Sequence, residues 1–370
     1  MPASHASFDR MVGSRIQAAR KRREWSQEEL TAAIGFKDRQ TLSTIESGKR
    51  RVQADELIRF TQVLGEDISF FTDPYRIVED CVFSWRADEE PASMEQQEDK
   101  ARSVVAAYRR FKDLLGEPFV PLPHRLNLTR RNSFEEAALA GEQVASYLKM
   151  GDIPSLSLRS TIEQKLKIPV LFVELSRGIS GAACRIPEAV LILINRNDPS
   201  LRQHFDMAHE LFHVLTWDAM PPEHIDFRAA APKRRSRIEN LADNFAGGLL
   251  MPQTTLGPLW AKREEKGLDV VEWVKMAAEK LQVSGLAMSY RIKNLGWPSA
   301  SDQEELEAAD LTRSMRSDGK QRLYSEEFVQ LIHRVLENGR VTRRKMAEIL
   351  DCTIEDIEDL LADYQMAMPY

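Results

Sequence analysis

Cysteine, histidine and long apolar runs are all scarce in this sequence, and each scarcity narrows the chemistry that the chain can support. Among 370 residues there are three cysteines and seven histidines. Cys81, Cys184 and Cys352 are odd in number and far apart, which fits neither a disulfide framework nor a CxxC metal knuckle. Any metal site must therefore rely mostly on histidine and carboxylate ligands.

Apolar runs long enough for a membrane are missing as well. No stretch of about 18 apolar residues occurs, so we expect no membrane partner. The start, MPASHASF, has no apolar run that could serve as a secretory signal, and we expect a cytoplasmic protein. With 43% hydrophobic residues the chain is long enough for two or three cores, which predicts several domains.

Charge is unevenly distributed along the chain. Residues 1–60 hold twelve Lys/Arg and eight Asp/Glu, a balance of +4. Because the whole chain has a net charge of −6, residues 61–370 carry −10. If nucleic acid is a partner, the N-terminus is where it should bind.

Residues 8–72 have the pattern of a compact run of short helices. Ser26 with Glu29 three residues later predicts a capped second helix, and Asp38 predicts the cap of a third. Gly35 lies between them, where a tight turn is expected.

The stretch from Trp25 to Arg51, SQEELTAAIG followed by DRQTLSTIESGKR, resembles the helix-turn-helix of the Xre/Cro/C1 repressor family. Lys37 departs from that pattern as an extra residue in the turn. In such folds the third helix enters the major groove of double-stranded DNA, where Arg and Gln suit guanine and adenine edges. The candidate base contacts are Arg39, Gln40 and Ser43, and the candidate backbone anchors are Gln27, Arg20, Arg22, Lys49 and Arg50. The alternative is a helical module for dimerisation or protein contact.

The rest of the chain predicts a linker and an α+β domain. Residues 73–132 indicate a linker with a helix from about Glu98 to Leu115 and a possible short strand, Val82 to Trp85. From Ser133 the segments IPVLFVEL and AVLILIN read as buried strands, with SGAAC as a possible third. The predicted fold class is multidomain and mainly α with a small β-sheet.

MAHELFHVL, residues 207–215, places two histidines four residues apart. Asp198 as N-cap and Pro199 as first helical residue predict a helix here, on which His209 and His213 share one face. Glu210 flanks that face, where its carboxylate is suited to a base rather than a ligand. The apolar side comprises Leu201, Phe205, Ala208, Phe212 and Leu215.

The motif alone leaves a second interpretation open. HExxH arises by chance in roughly one chain in a hundred of this length. The alternative is an ordinary core helix with two part-buried histidines hydrogen-bonded to backbone.

A third ligand is available downstream in SRIENLADNFAGGLLMP. Glu239 can complete a zinc site, and Asp243, one turn later, can hydrogen-bond a ligand histidine and hold its tautomer. Ser236 and Glu239 also have capping-box spacing, so Glu239 has an alternative role as a helix cap. His204 and His224 lie off the histidine face and are expected to be surface residues.

HFDMAHELFHVL followed by ENLADNFAGGLLMP resembles the ImmA/IrrE family of zinc metallopeptidases, and the likeness covers about residues 133–300. The resemblance implies that His209, His213 and Glu239 hold Zn²⁺ and that Glu210 is the catalytic base. A common family pattern has a second glutamate where this chain has Leu241, so that residue's role does not transfer.

The family typically cleaves a helix-turn-helix repressor in stress response, mobile-element transfer or phage defence, so a protein substrate of that kind is implied. The rivals are a repressor whose peptidase-like domain only senses a ligand, and a zinc-stabilised scaffold. The intact HELFH favours the enzyme, since a pure sensor would not need Glu210. Repressor-type readers usually bind as dimers, so a homodimer is a possible assembly.

Three further candidates are open. Tyr290 is a candidate oxyanion donor, and Cys81 or Cys184 is a candidate inhibitory thiolate at the metal. Residues 320–365 also have a helix-turn-helix pattern, but 325–363 hold five Lys/Arg against ten Asp/Glu. That balance argues against phosphate contact and predicts a packing or regulatory module.

Overall fold

The computed structural model describes residues 2–75, 81–87, 94–122, 125–227, 236–265, 267–311 and 321–369. The described chain is mainly helical with one small sheet, which confirms the predicted fold class. It divides into two compact units. The first comprises Met1–Cys81, Glu98–Glu117 and Asn338–Ile354, and the second comprises Val82–Gln97, Pro118–Glu337 and Glu355–Tyr370. Over the ranges that are described, no helix is long and apolar enough to cross a membrane.

The first unit begins with five helices: α1 (Pro2–Arg22), α2 (Gln27–Ile34), α3 (Arg39–Glu46), α4 (Ala54–Leu64) and α5 (Ile68–Thr72). Their apolar faces form one core, in which Ile16, Leu30, Leu42 and Phe60 have no exposed surface. Because each short helix is only marginally stable alone, this shared core holds the helices together.

The predicted helix signals of this unit are present. Ser26 and Glu29 form a complete capping box at the start of α2, and Asp38 accepts a hydrogen bond from the Thr41 amide at the start of α3. Gly35 ends α2 with φ of +79°, a left-handed conformation that costs glycine little. These signals fix the turn between the two helices that define the motif.

The sheet of the second unit has five strands: β1 (Val82–Ala87), β2 (Val170–Val173), β3 (Ile179–Ile186), β4 (Ala189–Asn195) and β5 (Ile225–Phe227). Their spatial order is β2-β4-β3-β1-β5. β3 pairs antiparallel with β4 and β1, whereas β2 and β5 run parallel to β4 and β1. The possible strand predicted within residues 73–132 is present as β1, an internal strand of the sheet whose Phe83 and Trp85 are buried.

The helices of the second unit that matter most are α7 (Phe134–Tyr147), α9 (Ser200–Thr216) and α10 (Arg237–Leu250). α9 packs on β3 and β4, and α10 packs against both α9 and α7. A Cβ on Gly248 would lie 2.0 Å from the Ala138 carbonyl oxygen, so only glycine permits this approach of α10 to α7. α10 thereby packs closely on α7 while its other side contacts α9.

Nine further helices are described along the chain. They are α6 (Met94–Leu115), α8 (Pro154–Lys165), α11 (Gln253–Glu265), α12 (Val270–Leu281), α13 (Gly285–Asn294), α14 (Ala300–Ala308), α15 (Glu326–Glu337), α16 (Arg343–Leu350) and α17 (Ile354–Asp363). The predicted C-terminal module, 320–365, is divided between the units, since 338–354 group with the first. There the Lys345 ammonium lies 5.7 Å from the centre of the Tyr75 ring.

Candidate metal centre and nucleic-acid interface

Helix α9 carries both motif histidines into the interior of the second unit. His209 and His213 are at most 1% exposed, and Phe212 and Leu215 beside them join the hydrophobic core. The helix begins at Ser200 with Pro199 in the N-cap position, so the predicted start is one residue too early. The two imidazoles lie one turn apart on the same face, and their Nε2 atoms are 3.0 Å from each other.

Helix α10 brings Glu239 to the same point. Its Oε2 lies 3.0 Å from Nε2 of His209 and 3.2 Å from Nε2 of His213. The alternative role of Glu239 as a cap is not adopted, because the Ser236 side chain accepts its hydrogen bond from the Ile238 amide and the Glu239 carboxylate faces the histidines. Within the described ranges, these three residues are the group whose ligand atoms all lie within 4.8 Å of one another.

Hydrogen bonding at His209 shows what this group requires. Its Nδ1 lies 2.8 Å from Oδ1 of Asp243, and because a carboxylate only accepts, Nδ1 must carry the proton. In neutral His209 the Nε2 atom is then unprotonated, and its lone pair faces another acceptor, the Glu239 carboxylate. A cation is needed between them, either a proton or a metal ion.

The pKa values express the same requirement. Burial lowers the pKa of His209, but its contacts with Asp243 and Glu239 outweigh burial and raise it to about 9. Burial also acts to raise the pKa of Glu239, yet the two histidines hold it well below the ordinary value. The site thus favours a positive charge on His209 beside a negative charge on Glu239.

The donor set fits zinc. Two histidine nitrogens and one carboxylate oxygen are a common catalytic zinc ligand set, and ligands at ~2.0–2.1 Å from a tetrahedral ion lie roughly 3.3 Å apart. The observed separations of 3.0–3.2 Å are close to that value. Oε1 of Glu239 and Oε2 of Glu210 are buried and make no hydrogen bond to any described residue, which leaves both oxygens available at the centre.

Glu210 lies directly after His209 and is 1% exposed. Burial raises the pKa of its carboxyl group to about 7, against the opposing influence of His209 and His213. A carboxyl group that titrates near neutral pH can both accept and release a proton.

Several other candidates lie elsewhere. His204 is partly buried rather than a surface residue, with Nδ1 2.9 Å from the Gln282 carbonyl oxygen, whereas His224 is exposed as expected. Cys81 and Cys184 are buried outside the three-residue ligand group. Tyr290 is 60% exposed.

On the helix-turn-helix surface, α3 presents Arg39 and Gln40 to solvent near its start, with Ser43 half-buried one turn later. Arg39 donates to Glu28 at 2.8 Å and to Gln27 at 3.2 Å. The Gln40 amide is exposed on α3 and can approach a base directly. Arg39 must first break its hydrogen bonds with Glu28 and Gln27.

The candidate backbone anchors differ in their exposure and in their acidic partners. Lys49 and Arg22 are exposed, and Arg22 lies 3.4 Å from a glutamate oxygen, while Arg50 is half-buried with a nitrogen 2.7 Å from Glu56. Arg20 is a correction: it is 8% exposed, and its Nε lies 2.7 Å from Oε1 of Glu46. Because a buried guanidinium in an ion pair is not available to phosphate, Arg20 belongs to the interior of the first unit.

The sequence interpretation missed two buried charges near His209. Arg86 on β1 and Asp206 on α9 are 2% and 0% exposed, with Nε of Arg86 3.1 Å from Oδ1 of Asp206. The available signal was Arg86 itself, an arginine directly after the apolar strand residues Val82 to Trp85.

Comparison with protein families agrees with the geometry. Residues 163–293 match the family model described as the IrrE N-terminal-like domain, peptidase M78, and residues 16–71 match the helix-turn-helix model. These matches confirm the resemblance of both regions. No curated protein matches the chain. The chain therefore combines a DNA-binding helix-turn-helix domain with a metallopeptidase-like domain, the architecture of a DNA-binding regulator, while the predicted domain limits stay predictions.

Proposed function

We propose that this chain is a DNA-binding, zinc-dependent endopeptidase of the cytoplasm, which regulates transcription by cleaving a repressor-type protein. The observation that carries the proposal is the convergence of His209, His213 and Glu239 within 4.8 Å, beside the buried carboxylate of Glu210. The match of residues 163–293 to a peptidase family supports it.

Each residue has a separate task in this proposal. Nε2 of both histidines and a carboxylate oxygen of Glu239 would hold zinc, which supplies a Lewis acid for water and for the scissile carbonyl group. Asp243 keeps the proton of His209 on Nδ1, so that Nε2 remains a ligand. Glu210 takes a proton from the attacking water and returns it to the leaving amine.

The helix-turn-helix domain would bring the peptidase to an operator, where its substrate is bound, or repress the chain's own promoter. Arg39, Gln40 and Ser43 are the proposed base contacts, with Gln27, Arg22, Lys49 and Arg50 toward the phosphates. Gln27 is held by Glu46, to which its amide donates at 2.7 Å. A homodimer would place two such readers on paired half-sites.

The decisive experiment incubates the zinc-loaded chain with the helix-turn-helix repressor encoded beside it and identifies fragments by mass spectrometry. Glu210→Gln removes the base and keeps the shape, so we expect a rate lower by about 10²- to 10⁴-fold with zinc content unchanged. Glu304→Gln, at an exposed residue of α14, is the matched control and should cleave at the wild-type rate.

The outcomes separate the rival functions. Equal cleavage by wild type and Glu210→Gln would remove Glu210 from the mechanism. If no variant cleaves, although zinc is bound and operator DNA is bound tightly, the peptidase-like domain is a sensor and the proposed activity is wrong.

A further inference from the structure

We propose that Arg86 is a positioning residue of the metal centre, which acts through Asp243 to fix the imidazole of His209. The inference rests on the proposed zinc site and adds a residue from outside the family match, because Arg86 lies on β1 whereas the match covers residues 163–293. It assigns a role to a strand that the sequence placed in a linker.

A single carboxylate oxygen links Arg86 to His209. Nη2 of Arg86 lies 3.1 Å from Oδ1 of Asp243, and the same Oδ1 lies 2.8 Å from Nδ1 of His209. The guanidinium therefore fixes the acceptor that fixes the ring, and the ring orientation directs Nε2 toward Glu239.

The other side of Arg86 returns to the helix that carries the histidines. Its Nε lies 3.1 Å from Oδ1 of Asp206, three residues before His209 on α9. Arg86 thus joins β1 to α9 through Asp206 and to α10 through Asp243. A guanidinium can hold two carboxylates at fixed angles, which an ammonium group cannot do.

Exposure explains why Asp243 needs this support. The Asp243 side chain is 25% exposed, so water competes for its oxygens, whereas the side chains of Arg86 and Asp206 are 2% and 1% exposed. A buried arginine is costly unless its charge is matched, and both matching carboxylates lie beside the metal centre. Loss of Arg86 removes a contact that orients the Asp243 carboxylate, so the His209 ring is held less firmly.

The test measures zinc affinity by competition with a chelator, and the visible absorption of bound Co²⁺, on the full-length chain. Arg86→Lys keeps the charge but not the fork, so we expect zinc affinity to fall roughly 10- to 100-fold, with an altered Co²⁺ spectrum. Asp243→Asn should lower zinc affinity by a similar factor. The double variant should lower it no further, since both substitutions act through one contact. Arg202→Lys is the matched control. It changes the same residue type beside Asp206, at 3.6 Å, but leaves the contact between Arg86 and Asp243 in place, so zinc affinity should stay at the wild-type value.

A purely structural Arg86 gives a different result. Arg86→Lys would then lower the unfolding temperature of the metal-free chain and leave zinc affinity, the Co²⁺ spectrum and the effect of Asp243→Asn unchanged, which overturns the inference. If Arg86→Lys does not fold, the double variant Arg86→Gln with Asp206→Asn replaces it, since it removes one charge of each sign. Its zinc affinity should be roughly 10- to 100-fold lower than that of Asp206→Asn alone. Equal zinc affinity of these two variants overturns the inference. A wild-type chain that binds no zinc overturns the proposed function first and this inference with it.

Discussion

Arg20 in the first unit and Arg86 in the second are both buried arginines that pair with carboxylates of neighbouring helices. The Arg20 network comprises Glu46 on α3 and the Trp25 carbonyl oxygen before α2, and through Glu46 it reaches the proposed phosphate contact Gln27. The Arg86 network continues through Asp243 to a candidate zinc ligand. Similar ion pairs therefore have different consequences, and the difference lies in what the paired carboxylate contacts: Gln27 in the first unit and His209 in the second.

The two units also differ in where their proposed functional side chains lie. In the first unit the proposed DNA contacts are exposed or half-buried, because DNA must be reached from outside. In the second unit the proposed ligands are buried, because a dry site strengthens each electrostatic interaction. A substitution of Arg20 should thus alter the stability of the first unit without altering metal binding, whereas one of Arg86 should alter metal binding.

The largest effect should come from Arg20→Met, which leaves the Glu46 carboxylate buried without its cation. We expect the free energy of unfolding of the first unit to fall by about 3–5 kcal/mol. Hydrogen exchange of peptides from α1 and α3 measures this loss. Arg59→Met breaks the more exposed ion pair with Asp55 and should cost less than about 1 kcal/mol. Loss of zinc affinity in Arg20→Met would break the comparison, since its network contains no metal ligand.

Gln40→Ala tests the surface half of the comparison. If Gln40 reads a base edge, operator affinity should fall by about 1–3 kcal/mol while binding to random DNA changes little. Lys49→Ala should instead weaken both DNAs alike and reduce the salt slope by roughly one. Mobility shifts at several salt concentrations separate the two patterns, and equal losses on both DNAs from Gln40→Ala would make it a phosphate contact.

The smallest effect concerns His204, a partly buried histidine of α9 whose hydrogen bond is to a carbonyl group instead of a carboxylate. Burial lowers its pKa, opposite to the direction at His209. The unfolded chain therefore binds this proton first, and stability contributed by neutral His204 is lost as pH falls from the ordinary histidine pKa of ~6.5 toward the lowered value.

His204→Asn keeps a donor for the Gln282 carbonyl oxygen and removes the titration. Urea unfolding between neutral and acid pH should show a shallower dependence in the variant, by at most one proton, about 1.4 kcal/mol per pH unit. An unchanged pH dependence would mean that His204 titrates as it does in the unfolded chain.

Local signals were the most predictable part of the fold. The capping box at Ser26 and the cap at Asp38 are present where the sequence predicts them, because a cap depends on residues within one turn. The start of α9 was wrong by one residue, since Pro199 is compatible with either position. The long-range role of β1 was not predictable, because pairing with β3 depends on residues about a hundred positions away.

The candidate site shows the same division. HELFH alone placed two histidines on one helix face, and this follows from the 3.6-residue period. Whether Glu239 capped its own helix or faced the histidines was open, and the packing of α10 against α9 and α7 decided it.

By itself, the sequence determined the helix-turn-helix signals, the pair of histidines and the adjacent Glu210, because all of these depend on spacing along one or two helices. Only the tertiary structure decided that Arg20 is an interior ion pair, that Glu239 meets both histidines, and that Arg86 reaches His209 through Asp243. The physical reason is that a buried charge must be matched by a partner, and in each of these cases that partner comes from another element of the fold.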